Sequence, residues 1–153
     1  MDKLPMGDAE YGLLARALRK VDFFASMTIG QMEKVLPYIM LYQYAPDETV
    51  FKQGSVGDAF YIVHQGRVAV RIKKGFFSFA KTVTTLGPGD FFGEMALLST
   101  DSRSATVISL EVTRLFVLLQ ADFQFILKEN PAFHEEVKKI AARRKFASSQ
   151  GGK

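Results

Sequence analysis

The chain has 153 residues, 48% of them hydrophobic and 24% charged, enough for one domain with its own core. A formal net charge of +4 is too small to argue for nucleic-acid binding, and the absence of cysteine excludes disulfides and thiolate chemistry. No apolar run approaches a membrane span and no signal-type hydrophobic region opens the chain, so a cytoplasmic location is expected.

In chain order, the first expected element is a helix over 8–21, with Leu13, Leu14, Ala17, Leu18 and Val21 on one face. Asp22-Phe-Phe interrupts it. Thr28 followed by Gln31 is a capping-box pattern that opens a second short helix, which Pro37 ends or distorts. From residue 41 the period changes to two, and short runs at 41–44, 49–51, 59–64, 67–72, 81–86, 105–110 and 113–119 alternate with turn signals. Many short strands at regular spacing argue for an antiparallel barrel or jelly roll with a concave interior. Two helices close the chain. One covers 122–130, and the other starts at Asn130-Pro131, with Glu135 and Glu136 early and Arg143, Arg144 and Lys145 late. The expected plan is a single domain over 1–153, mainly β with flanking helices. Helices fill 1–40, the roll 41–119, the C-terminal helices 120–147, and a flexible tail 148–153.

The chemistry concentrates in Gly87-Pro-Gly-Asp-Phe-Phe-Gly-Glu-Met-Ala-Leu-Leu-Ser-Thr-Asp-Ser-Arg-Ser-Ala-Thr-Val107. Gly93 lets the backbone approach a ligand closely. The turn opening at Glu94 presents unpaired N–H groups to an anion. Arg103 offers a planar fork of donors for two phosphate oxygens, and Ser104 and the Ala105 N–H add further donors. Glu94 fits beside a phosphate if it accepts from a sugar hydroxyl. On the residues alone, a turn carrying a surface Glu94–Arg103 pair stays open as the plainer alternative, worth little in stability.

The layout resembles the cyclic nucleotide-binding domain of catabolite activator proteins, protein kinase regulatory subunits and cyclic-nucleotide-gated channels. Phe92-Gly-Glu-Met-Ala-Leu-Leu98 with Arg103-Ser-Ala-Thr-Val107 is similar to that family's phosphate-binding cassette residue for residue. Gly54-Ser-Val-Gly57 and Gly66 fall where the family places glycine turns. The resemblance implies that Glu94 takes the ribose 2′-hydroxyl and Arg103 the exocyclic phosphate oxygens. Gly93, Met95, Ala96, Ser104 and Ala105 complete that shell. Phe92 and Val83 line the sugar and base, and the last helix acts as a lid, with Arg143, Arg144 or Phe146 over the purine. It implies cyclic AMP as the ligand, with cyclic GMP second. Its output would be a protein effector reached through the C-terminal helices.

An enzyme of the same roll would need clustered ligands or a nucleophile–base pair, and the chain has only His64 and His134. The reading is therefore a non-catalytic module without a metal. The hairpin 73–81, with Phe76, Phe77 and Phe79 beside lysines, is a docking alternative, for an acidic partner or an anionic membrane surface.

Overall fold

The β pattern closes into two antiparallel sheets, with helices gathered outside one of them. The computed structural model describes residues 1–75 and 79–150, the last six by backbone alone. In order, the elements are β1 (Asp2–Leu4), α1 (Asp8–Leu18), α2 (Asp22–Ala25), α3 (Ile29–Val35) and a 3₁₀ turn (Leu36–Tyr38). Then come β2 (Met40–Tyr44), β3 (Thr49–Phe51), β4 (Ala59–Gln65), β5 (Val68–Ile72), β6 (Lys81–Leu86) and β7 (Phe91–Phe92). A second 3₁₀ turn (Glu94–Leu97), β8 (Thr106–Ser109), β9 (Thr113–Leu119), α4 (Gln120–Glu129) and α5 (Pro131–Gln150) complete the chain. The sheets run β1-β2-β9-β4-β7 and β3-β8-β5-β6.

Strands β4 and β9 explain where the two cores lie. Along them, side chains alternate between faces, and both faces are buried. Ala59, Tyr61, Val63, Leu115 and Val117 point into the roll and meet Val68 and Val107 of the opposite sheet. Phe60, Ile62, Phe116 and Leu118 point outward to the helices. Phe24 ties this outer core together, with ring centroids 6.1 Å from Phe60, 5.6 Å from Phe123 and 6.2 Å from Phe133. Each fully buried ring of this kind contributes about 1.5–3 kcal/mol relative to exposure. The N-terminal helices and α5 thus share one hydrophobic anchor.

Local departures from the expected elements have local causes. The Thr28 capping box forms as read, with Gln31 N–H on Thr28 Oγ1 at 3.1 Å and Thr28 N–H on Gln31 Oε1 at 2.9 Å. The first helix stops at Leu18 because Val21 turns extended before α2. Arg19 then donates to the carbonyls of Ala25 and Met27 beyond α2. Asn130 closes α4, its side chain donating to the Ile126 carbonyl at 2.7 Å. The helix after it continues to Gln150, so 148–150 are helical rather than tail, and 151–153 lie outside the described residues. Phe76, Phe77 and Ser78 of the docking hairpin also lie outside them.

Candidate functional site

The site is built where β7 turns into the segment leading to β8. Gly93 takes a left-handed φ of 77°, which reverses the chain between Phe92 and the Glu94–Leu97 turn. A Cβ at Gly93 would lie 2.7 Å from Arg103 Nη1 and 3.2 Å from the Ala59 carbonyl, so the missing side chain is what admits the guanidinium. The loop that carries Arg103 is laced to the β3–β4 turn. Gly54 N–H donates to the Arg103 carbonyl at 2.8 Å, Arg103 N–H to Ser55 at 2.7 Å, and Gly57 N–H to Asp101 at 3.1 Å.

Arg103 is 8% exposed and lies inside the roll. Its Nη2 donates to the Ala59 carbonyl at 2.7 Å, and its guanidinium carbon sits 4.1 Å above the Phe51 ring. That contact is a cation–π interaction, worth about 1–2 kcal/mol once desolvated. Phe92 supports the platform, stacked on Tyr61 at 5.0 Å and 5.9 Å from Phe51. Burial pulls the Arg103 pKa below its ordinary value, against the opposing influence of Tyr61 and Asp58, and burial likewise raises that of Tyr61.

Glu94 is also 8% exposed, and the expected alternative of a surface Glu94–Arg103 pair does not form. Its partner is Arg144 of α5, whose Nη2 lies 2.6 Å from Glu94 Oε1. The Arg144 guanidinium sits 5.5 Å from the Phe23 ring and 4.0 Å from Asp22 Oδ2, so α2 supplies its seat. Glu94 Oε2, Arg103 Nε and Arg144 Nη1 are buried without a hydrogen-bond partner. Among the described residues they are the only buried side-chain nitrogen and oxygen atoms in that condition. An unused acceptor on Glu94 and an unused donor on Arg103 thus belong to the two side chains that the sequence assigns to a hydroxylated anion.

The remaining expected residues sort themselves by position. Gly93, Met95, Ala96, Arg103 and Ser104 line a cavity of about 300 Å³, with Gly57, Ser99, Asp101 and Ser102. Met95 is 47% exposed there, while Ala96 and Ala105 are buried. Val83 departs from the expectation. It is the extra residue of a β-bulge between the Val70–Thr84 and Arg71–Thr82 pairs, is 56% exposed, and is absent from the apolar lining that includes Val70 and Leu86. The late arginines were read as dipole partners of a helix end. With α5 extending to Gln150, Arg144 is instead mid-helix and turned to Glu94. Sequence reading missed Gly57, Asp101, Asp22 and Phe23 as participants. Gly57 had a signal, since it belongs to the glycine turn already noticed. Asp22 and Phe23 had none.

The family model described as "Cyclic nucleotide-binding domain" matches residues 41–130. The chain belongs to that family. It is 30% identical over 121 residues to the cyclic AMP receptor protein of Thermus thermophilus, covering 79% of this chain and 56% of that protein. It is 36% identical over 93 residues to the cGMP-dependent protein kinase of Plasmodium berghei, covering 61% of this chain and 10% of the kinase. The regulatory domain of Toxoplasma gondii PKA, solved with cAMP, superposes with a TM-score of 0.75 at 26% identity, covering 95% of this chain and 53% of that one. The chain thus spans just over half of the Thermus protein and a small part of the kinase. It carries a cyclic nucleotide-binding regulatory domain. No helix among the described residues is long and apolar enough to cross a membrane.

Proposed function

We propose that the domain is a cytoplasmic sensor that binds cyclic AMP in the Phe92–Ala105 segment and reports it through α4 and α5 to a protein effector. The observation that carries this reading is that Glu94 and Arg103 are both buried and each keeps a side-chain atom without a hydrogen-bond partner. Arg103 takes the exocyclic oxygens of the cyclic phosphate, with the backbone and hydroxyl of Ser104 and the N–H groups of Met95 and Ala105 around it. Glu94 keeps Oε1 on Arg144 and offers Oε2 to the ribose 2′-hydroxyl. The base lies along β5 and β6, against Val70 and Leu86, at the open side of the roll. Relatives whose names carry cyclic AMP and cyclic GMP both support a purine nucleotide, and the cyclic AMP receptor and the cAMP-bound regulatory domain favour adenine.

The lid follows from the same contacts. Arg144 belongs to α5, so a ligand hydroxyl on Glu94 changes the field that holds α5 against α2. A ligand shifts that arrangement only by its differential affinity for the two positions of the helix. The segment is read as binding its ligand, in keeping with the regulatory family that the chain matches. Calorimetric titration with cyclic AMP and cyclic GMP tests the reading. Arg103→Ala should weaken the favoured nucleotide by about a hundredfold, the cost of stranding a buried phosphate charge. Unchanged affinity in that variant, with the fold intact by thermal melting, would overturn the assignment.

A further inference from the structure

A second surface lies on the other face of the β3-β8-β5-β6 sheet, away from the nucleotide segment. Val70 and Val107 point into the roll, so by alternation their neighbours Arg71 and Thr106, which pair with each other, point outward. A cavity of about 810 Å³ opens on that side, lined by Thr49, Lys52, Gln53, Lys73 and Thr106. Its wall is tied in place. The Gln53 amide accepts from Lys73 N–H at 2.9 Å and donates to the Lys73 carbonyl at 3.0 Å, while Gln53 N–H donates to Thr106 Oγ1 at 2.9 Å.

The charge on this face is one-sided. None of the chain's 16 Asp and Glu residues falls between Asp58 and Asp90, whereas Arg67, Arg71, Lys73, Lys74 and Lys81 do. Arg67 pairs with Glu111 at 2.6 Å, and no ion pair engages Lys52, Arg71, Lys73, Lys74 or Lys81 among the described residues. Strand β6 borders the cations and has β5 as its only strand partner there, leaving its outer edge open. Its residues from Lys81 to Thr85 are all exposed.

We propose that this face docks an extended acidic segment of a partner protein, laid along the free edge of β6 with its carboxylates on Arg71, Lys73, Lys74 and Lys81. Strand addition satisfies the open backbone groups, and charge selects the strand. The same features exclude the other occupants. Lys81 and the bulge at Val83 guard the edge against a neutral strand, and a second copy would bring the same cations face to face. Thr82, Thr84 and Thr85 make the length of β6 mostly polar, so a membrane would meet apolar surface only at Phe79 and Val83. The proposal stands independently of the nucleotide reading, since Arg71 and the lysines it uses lie outside the Phe92–Ala105 segment.

The test uses the whole chain and a fluorescent peptide of alternating Glu and Val, with a Lys-Val peptide as control. Anisotropy should show binding of the acidic peptide alone, weakening with salt. Amide hydrogen exchange in β6 should slow when it binds. The triple variant Lys73→Glu, Lys74→Glu, Lys81→Glu should bind about tenfold more weakly or worse, and Lys81→Gln alone should lose less. Thermal melting confirms that these exposed changes leave the fold intact. Arg103→Ala should bind the peptide as the parent does. The proposal is overturned by absent binding, by equal binding of both peptides, or by an unaffected triple variant. It is overturned equally by binding to phosphatidylserine vesicles in place of the peptide, or by a concentration-dependent dimer that protects β6 unaided.

Discussion

Glu94 and Arg103, the two buried charges of the proposed nucleotide site, are held in different ways. Arg103 is held wholly within the roll, by the Ala59 carbonyl of β4, the Phe51 ring of β3 and the glycine at 93. Glu94 is held from outside it, by Arg144 of the last helix, itself seated on Asp22 and Phe23 of the N-terminal helices. The phosphate half is therefore preorganised by strands that cannot move without opening the core. The sugar half is shared with α2 and α5, which pack on the outer face of the first sheet. Affinity is expected to reside in the first, and signalling in the second.

Gly93→Ala breaks the phosphate half and carries the largest expected effect. A residue with a Cβ at φ of 77° costs about 1–2 kcal/mol in backbone strain alone. The new methyl also meets Arg103 Nη1 at 2.7 Å, which forces the guanidinium off the Ala59 carbonyl. Thermal melting should fall, and calorimetric affinity for cyclic AMP should drop by about a hundredfold. Gly57→Ala is the graded control. Its Cβ would approach the Asp101 carbonyl at 3.0 Å and Arg103 Nε at 3.5 Å, without a positive φ, so its loss should be smaller. Equal and negligible losses in both would show that the Arg103 slot does not hold the ligand.

Arg144→Ala breaks the sugar half. Removing the guanidinium leaves a carboxylate that is 8% exposed with neither oxygen partnered, a cost of about 1–3 kcal/mol shared between stability and binding. Affinity for cyclic AMP should fall by about tenfold. For the 2′-deoxy analogue, which brings no hydroxyl to Glu94, the fall should be much smaller. Hydrogen exchange of α5 amides should quicken in the variant without ligand. Equal losses for both nucleotides would mean that Arg144 supports the fold and has no part in reading the ribose.

What the sequence made legible follows the same division. Gly93, Glu94, Arg103 and Ser104 are close in sequence, and each has a chemical reason visible in its residue type, so the phosphate half could be read directly. The period-two runs likewise marked the strands that build the roll, because β4, β5 and β9 carry their burial in their pattern. Strands β1 and β7 were not legible, being three and two residues long with no alternation to detect. The Arg144–Glu94 contact was not legible either. It joins residues 50 positions apart through a helix packing that depends on Phe24 meeting Phe123 and Phe133. Val83 misled for a third reason, since a bulge shifts the face that a strand residue shows and leaves no mark in an alternating sequence.

His64 belongs to neither half and sharpens the contrast with the smallest expected effect. It lies against Phe116 beside a cavity that Arg16 of α1 and Lys20 just after it also line, with Glu10 and Arg114 acting on it electrostatically. Burial, the largest influence, lowers its pKa from the ordinary 6.5; Arg114 adds to that, and Glu10 opposes it. The folded state therefore resists a proton that the unfolded chain accepts. Stability should be complete above the ordinary histidine pKa and decline as pH falls from there through the lowered value. Chemical denaturation across that window should show the decline in the parent and a flatter profile in His64→Gln. Cyclic AMP affinity at neutral pH should be the same in both, because His64 lies at the other end of β4 from Ala59 and faces Phe116 on the outer side, whereas Arg103 lies inside the roll. A nucleotide affinity that followed the His64 substitution would mean that the outer core and the phosphate half move together, and the separation drawn between them would fail.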